Sequence, residues 1–159
     1  IDSLEGSVNK EDVDDLIKLN AFDQVFTNDK IKIGSNSSIV VSFIDNSILT
    51  LQSDSEFLVE KFDKISEEPL FIITITKGKF AFESGTIAQN DKGIMKVNLG
   101  EMEIDLEASA IIGSISEKKS EVSMVPKTTG GNNPITVCAD GECITITEPH
   151  TGVEFSSEL

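Results

Sequence analysis

Residues 28–51 read NDKIKIGSNSSIVVSFIDNSILTL, and the order of apolar and polar residues in this stretch decides the fold. Its first isoleucines alternate with lysines, which is the period-two pattern of a strand with one buried face. Two further runs rich in apolar residues, 39–44 and 47–51, are joined through Asp45 and Asn46. Tight turns favour Asp and Asn, so we expect these two runs to form a β-hairpin.

The strand pattern extends over most of the chain. Ile and Val together supply 31 of the 159 residues, against 16 for Leu and Ala. β-Branched side chains fit a pleated strand and lose rotamer freedom in a helix, so this bias favours strands. Short apolar runs, separated by Gly, Asn, Asp and Ser, recur about every 8–12 residues. We therefore predict an all-β fold, an antiparallel β-sandwich or β-roll, with a short β-helix left open.

One segment near the start of the sequence departs from this alternation. Val13, Leu16 and Ile17 fall at the i, i+3 and i+4 positions that share one face of a helix. Asn9 is a suitable N-cap, and acidic residues fill the expected first turn. We therefore predict one short N-terminal helix over residues 9–17.

The formal charge of the chain is −15, and all 13 basic residues are lysines. Binding to nucleic acid requires cationic groups that displace counterions from phosphates, so the charge excludes this class of partner. Anionic membrane surfaces are repelled in the same way. The charge indicates solubility, and it leaves cation binding open as an alternative.

The two ends of the chain carry further expectations. No apolar run approaches the roughly 18 residues that a membrane-spanning helix needs. The sequence begins with Ile1 rather than Met, so we expect a chain that is processed, trimmed or excised from something longer. We expect residues 1–159 to form one domain. In it, residues 127–159 would be a C-terminal extension made of an exposed loop, residues 127–134, and a hairpin.

The only cysteines are Cys138 and Cys143, which flank a stretch that contains Asp140 and Gly141. Asp-Gly is a strong signal for a hairpin turn, so the cysteines would face each other on neighbouring strands. A disulfide is the favoured interpretation, and it indicates a periplasmic or extracellular location. Reduced thiols stay open as an alternative, as does metal or redox chemistry, although the single histidine, His150, cannot complete a zinc site alone.

The opening stretch quoted above resembles the signature of the FecR-type domain of bacterial envelope proteins. That pattern starts with Gly-Asp-x-Ile and has a tight Asp-Gly-Ser turn between two strands; here Asn28 and Asn46 take the two glycine positions. Residues 76–82 and 111–114 resemble later family elements, although Ile112 stands where the family has arginine. The resemblance implies an all-β envelope domain that acts in signalling or as a module of larger surface proteins.

No arrangement of residues points to catalysis. A Ser-His-Asp system needs a histidine, and His150 lies in a turn-like stretch without a nucleophile motif. Gly130 and Gly131 lack the lysine and the helix of a phosphate-binding loop, and no EF-hand loop is present. The paired carboxylates of a glycosidase are open in principle, but the chain has no Trp or Tyr to line a sugar site. The chain has nine Phe residues, and the spacing of most of them among strand hydrophobes leads us to expect core packing.

The sequence therefore predicts a non-catalytic, extracytoplasmic FecR-like module with no cofactor and no metal. Its expected role is protein–protein contact at the cell envelope or within a surface assembly, with a protein partner or by self-assembly. Addition of a strand at an exposed sheet edge is the expected mode, because such an edge offers backbone hydrogen bonds. The alternative is an envelope domain that binds calcium or another small ligand.

Overall fold

A computed structural model describes residues 1–117, 119–126 and 133–156 of the chain. The all-β prediction is confirmed, because strands make up nearly all the regular structure of these residues. The strands are β1 (Ser3–Glu5), β2 (Val8–Asp12), β3 (Asp15–Lys18), β4 (Lys30–Ile33), β5 (Ser38–Ser42), β6 (Ile48–Leu51), β7 (Ser55–Asp63), β8 (Leu70–Glu83), β9 (Ile94–Leu99), β10 (Met102–Leu106), β11 (Ala110–Ile115), β12 (Lys119–Val125), β13 (Ile135–Ala139), β14 (Glu142–Ile146) and β15 (Gly152–Ser156). One short helix, α1 (Thr86–Gln89), lies between β8 and β9. The predicted loop over residues 127–134 falls mostly outside the described residues.

The long strand β8 organises the fold. Its first half pairs with β7 and β9, and its second half pairs with β6 and β11. The rings of Phe71 and Phe82, near opposite ends of β8, have centroids only 6.0 Å apart. A straight strand would separate these residues by about 36 Å, so β8 must fold back on itself. Gly78, with a φ of +98°, lies between the two halves.

The sharp bend in β8 divides the hydrogen-bonded sheet into two layers. The first layer has the strand order β1-β5-β6-β8-β11-β12-β15, and the second has the order β3-β2-β4-β7-β8-β9-β10-β13-β14. Buried and less buried side chains alternate along β4, β5 and β8, and the buried faces of both layers share one apolar core. Phe43, which follows β5 of the first layer, contacts the rings of Phe62 and Phe71 from the second. The result is the predicted rolled, two-layered sheet.

One strand pair departs from the predicted antiparallel arrangement. β9 runs parallel to the first half of β8, with Leu70 opposite Ile94, whereas the other pairs among the described residues are antiparallel. A parallel pair usually needs a crossover of about a dozen residues or more. Here residues 84–93 suffice, because the fold in β8 has already returned the chain toward the start of that strand.

The predicted N-terminal helix over residues 9–17 is wrong. β2 and β3 form an antiparallel hairpin there, and β2 also pairs with β4. Val13, Leu16 and Ile17, whose spacing suggested a helix, are all exposed. A helix of two turns is marginal by itself, whereas pairing with β4 satisfies the backbone groups of β2 and extends the sheet. The sheet therefore overrides the local helical pattern.

Candidate functional site

An apolar groove lies between the two layers, where the loop between β3 and β4 of the second layer faces the end of β5 of the first layer. Residues 22–27 of this loop and residues 41–44, at the end of β5 and just after it, line the groove, whose volume is about 550 Å³. Val41 and Val59, both buried, and the half-buried rings of Phe43 and Phe62 also line it. Pockets of this volume and apolar character are typical of binding sites in proteins.

Large apolar side chains at this groove face solvent. Phe22 is 85% exposed, Phe26 is 58% exposed and Ile44 is 72% exposed, and all three line the groove. Phe22 and Phe26 are the two exposed phenylalanines of the nine, so they are exceptions to the core packing expected of most phenylalanines. Exposed apolar groups gathered in one concavity are a recognised mark of an interaction surface.

The backbone holds Phe22 in an unfavourable conformation. Its φ is +71°, in the left-handed region that bulky side chains avoid. Hydrogen bonds fix the loop in this shape: the Phe22 N–H donates to the Ile1 carbonyl at 2.8 Å, and the Asn20 N–H donates to the Asp23 carboxylate at 2.7 Å. Such a conformation costs about 1–3 kcal/mol, and residues held in this way cluster at functional sites.

Acidic side chains surround the groove. Asp2 and Asp23 line it, and the Asp29 carboxylate accepts a hydrogen bond from the Phe26 N–H at 3.0 Å. The Asp2 carboxylate accepts a hydrogen bond from the Ser42 hydroxyl. Lysines lie nearby as well: the Lys10 ammonium is 3.9 Å from Asp29 Oδ1, and the Lys64 ammonium donates to the Ile44 carbonyl at 3.0 Å. The backbone nitrogen of Ile1 donates to the Asp23 carbonyl at 2.9 Å.

The sheet edges offer a second kind of surface. Among the described residues, β1 and β15 end the first layer, and β3 and β14 end the second. All residues of β3 and all but the last residue of β14 are exposed, including Leu16 and Ile144. Edges of this kind can accept an added strand, so the predicted mode of binding has suitable places on the molecule.

The two cysteines meet as their spacing predicts. Cys138 of β13 lies directly opposite Cys143 of β14, and the structure joins them in a disulfide with a Cα–Cα distance of 4.1 Å. Asp140 and Gly141 form the turn with positive φ angles of 52° and 79°, the conformation that an Asp-Gly hairpin favours. The bond therefore ties the edge strand β14 to its neighbour.

The Asp45-Asn46 turn has a structural role. Asn46 has a φ of +70°, which Asn tolerates better than most residues, while Asp45 is fully buried. The Asp45 carboxylate accepts hydrogen bonds from the Ser47 N–H at 3.0 Å, the Ser47 hydroxyl at 2.9 Å and the Ile87 N–H at 3.4 Å. The Ser47 hydroxyl accepts a further bond from the Gly85 N–H at 2.8 Å. These bonds attach α1, and with it the crossover to β9, to the β5–β6 hairpin.

Another carboxylate, Asp105 of β10, lies in a less favourable setting. Its Oδ1 atom is shielded from solvent without a hydrogen bond, although the Lys96 ammonium lies 3.7 Å away, within ion-pair distance. Lys96 instead donates a hydrogen bond to Glu103, which is the main reason that the pKa of Lys96 is raised. Burial raises the pKa of the Asp105 carboxyl, and the charge of Lys96 only partly opposes this effect.

The structure offers no support for the calcium alternative. Within residues 1–117, 119–126 and 133–156, no three His, Cys, Asp or Glu side chains lie close enough together to hold a metal ion. His150 is exposed in a turn, where its backbone N–H donates to the Met124 carbonyl at 2.6 Å. None of the described helical structure combines the length and apolar character that a membrane crossing requires.

Residues 29–126 match the family model described as FecR protein, which covers more than half of the chain. The chain belongs to the FecR family. Two crystal structures of a candidate anti-sigma factor from Parabacteroides distasonis ATCC 8503 share the fold of this FecR domain, with TM-scores of 0.63 and 0.62 and 10% sequence identity. Each alignment covers 80% of this chain but only 54% of that one, so the FecR chain spans about half the length of these neighbours. No curated protein sequence matches the chain.

The missing family arginine can be placed on the FecR domain. Its position is occupied by Ile112 of β11, and this side chain is exposed. The next residue, Gly113, is tightly enclosed, because an added Cβ would lie 2.6 Å from the Glu121 carbonyl and 2.8 Å from the Phe80 ring. Packing therefore requires the glycine of the family pattern at Gly113, whereas the side chain at the preceding position, Ile112, lies outside the core.

Proposed function

We propose that this FecR domain is a non-catalytic, extracytoplasmic module that makes contact with a partner protein of the cell envelope. The observation that carries the proposal is the groove, where Phe22, Phe26 and Ile44 are exposed together. A strongly acidic domain gains no stability from exposed aromatic rings, and the backbone of one of these residues, Phe22, is held in a strained conformation. A partner that covers the groove would recover the cost of exposing these side chains.

Three further observations support the proposal. Membership of the FecR family agrees with an envelope module, and the structural neighbours carry the name of an anti-sigma factor, a class of protein that acts by binding another protein. The Cys138–Cys143 disulfide suits an oxidising compartment such as the periplasm or the cell exterior. The net charge of −15 opposes contact with nucleic acid and with anionic lipid.

Site-directed photo-crosslinking in envelope extract tests the proposal. A photoreactive amino acid replaces Phe22 in one variant and Ile112 in the control, since Ile112 is exposed but lies outside the groove. The expected result is a discrete adduct from position 22 that excess unlabelled protein abolishes, with none from position 112. Equal adducts from both positions, or none from position 22, would contradict the proposal. Light scattering of the purified chain separates a partner from self-assembly, because the proposal expects a monomer at concentrations where adducts form.

A further inference from the structure

We infer that the groove binds a partner segment that carries both apolar and basic side chains; this inference rests on the proposed protein-contact function. The apolar component follows from the shape of the site. Val41 and Val59 lie buried between the two layers, and Phe22, Phe26 and Ile44 provide exposed apolar walls. A groove of about 550 Å³ with such a lining accommodates several apolar side chains of an incoming segment.

The basic component follows from the charges around the groove. The carboxylates of Asp2 and Asp23 line it, and each accepts one hydrogen bond from the protein, from the Ser42 hydroxyl and the Asn20 N–H respectively. A carboxylate has about four acceptor sites, so both retain capacity for lysine or arginine donors of a partner. Asp2 and Asp23 form no ion pair with the lysines that the structure describes, and the Lys64 ammonium donates to the Ile44 carbonyl instead.

The overall charge selects among possible occupants. A second copy of the chain would bring another net charge of −15 and the same acidic rim, so self-association through the groove is opposed. An acidic partner is disfavoured for the same reason. A basic segment is attracted over a distance by the net charge and is then held by the apolar lining.

The strained loop gives the groove a fixed shape. Because hydrogen bonds from the backbone N–H groups of Asn20 and Phe22 fix the loop, the partner does not have to order this stretch of backbone when it binds. Aromatic anchor residues often dominate the energy of an interface. Phe22 is therefore the residue whose removal should weaken binding most.

Fluorescence polarisation with synthetic peptides tests this inference on the full chain. The probe is a labelled peptide of alternating Leu and Lys, compared with peptides of the same length made of alternating Leu and Glu and of alternating Ser and Lys. The apolar test is the double variant Phe22→Ser with Ile44→Ser, matched by Ile94→Ser with Ile112→Ser, which remove two exposed apolar side chains outside the groove and away from the edge strands. A thermal melt of each variant serves as the control that it is folded.

The charge test replaces two carboxylates by amides of the same shape. Asp2→Asn with Asp23→Asn removes the groove carboxylates and leaves an amide oxygen that can still accept the Asn20 N–H. The matched control, Asp14→Asn with Asp91→Asn, removes two charges from exposed positions outside the groove. The total charge changes equally in both variants, so a difference between them reports on the groove.

The inference requires saturable binding of the Leu-Lys peptide that both groove variants weaken about tenfold or more, while both controls change it little. Equally tight binding of the Ser-Lys or the Leu-Glu peptide would overturn it, as would equal loss in groove and control variants. The photo-crosslinking experiment distinguishes failure of this inference from failure of the proposed protein-contact function. An adduct from position 22 with a segment that lacks basic residues refutes this inference alone, whereas the absence of any adduct refutes the protein-contact function.

Discussion

Replacing Gly78 by Ala should lower the free energy of unfolding more than a Gly→Ala substitution at an exposed glycine. Gly78 lies where β8 folds back, with a φ of +98°. A Cβ added there would lie 2.0 Å from the Ser55 Oγ and 2.7 Å from the Ser55 Cα, and the second of these atoms belongs to the backbone of β7. Because Ser55 is itself buried, it cannot move aside without disturbing the β7–β8 pair.

The expected loss in the free energy of unfolding has two parts. A left-handed φ costs an L-residue about 1–2 kcal/mol relative to Gly. Overpacking a filled site adds about 1–3 kcal/mol. The Gly78→Ala variant should therefore lose about 2–5 kcal/mol of its free energy of unfolding, a large share of the roughly 5–15 kcal/mol that is typical of a folded protein.

Gly141→Ala is the matched control. Gly141 has a similar positive φ of +79°, but a Cβ there would meet nothing within 4 Å. Only the conformational cost of about 1–2 kcal/mol applies to it, and the effect of Ala on the unfolded chain is the same in both variants. Urea unfolding followed by circular dichroism measures both. If Gly78→Ala cost no more than Gly141→Ala, the close approach of β7 and β8 at this point would be refuted.

Three more substitutions test other parts of the structure. Asp45→Ala leaves three buried donors without their acceptor and should lower the free energy of unfolding by about 2–4 kcal/mol. In the same urea assay the control Asp14→Ala, at an exposed turn, should lower it hardly at all. Equal losses in the two variants would contradict the role of Asp45. Replacing Cys138 and Cys143 by Ala should lower the free energy of unfolding by about 2 kcal/mol. Dithiothreitol, which reduces the disulfide, should lower the free energy of unfolding of the parent protein by a similar amount and should not change that of the variant. Folding raises the pKa of Asp105, so its charge opposes folding once the pH exceeds that pKa. Asp105→Asn should therefore raise the urea midpoint at about pH 7 and have little effect at about pH 3, where both side chains are neutral; a midpoint that falls at neutral pH would show that the pair with Lys96 dominates instead.

The parts of the fold that local pattern controls could be predicted from the sequence. The alternation around Ile31 and Ile33 placed β4, and the Asp45-Asn46 turn placed the β5–β6 hairpin, because one buried face and one tight turn are encoded by neighbouring residues. The Asp140-Gly141 turn placed the cysteines opposite each other for the same reason.

Features that depend on distant residues could not be predicted. Residues 9–17 carry a helical spacing, but pairing of β2 with β4 outweighs it. The return of β8 depends on how closely Gly78 approaches Ser55, which a continuous apolar run such as residues 70–76 does not reveal. The exposure of Phe22 was missed because composition assigns phenylalanine to cores. Its place in a loop rich in polar residues, outside any period-two pattern, was the one available signal.

The membership of β8 in both layers also affects how the domain comes apart. Its backbone is bonded to β7 and β9 on one side of the fold and to β6 and β11 on the other. Each half of β8 pairs within its own layer, but the two halves form one continuous strand through Gly78 and the layers share one apolar core, so we expect neither layer to open as a separate unit. A pulling force applied to one layer through a bound protein would be transmitted along this single strand to the other, and the domain would resist or yield as a whole.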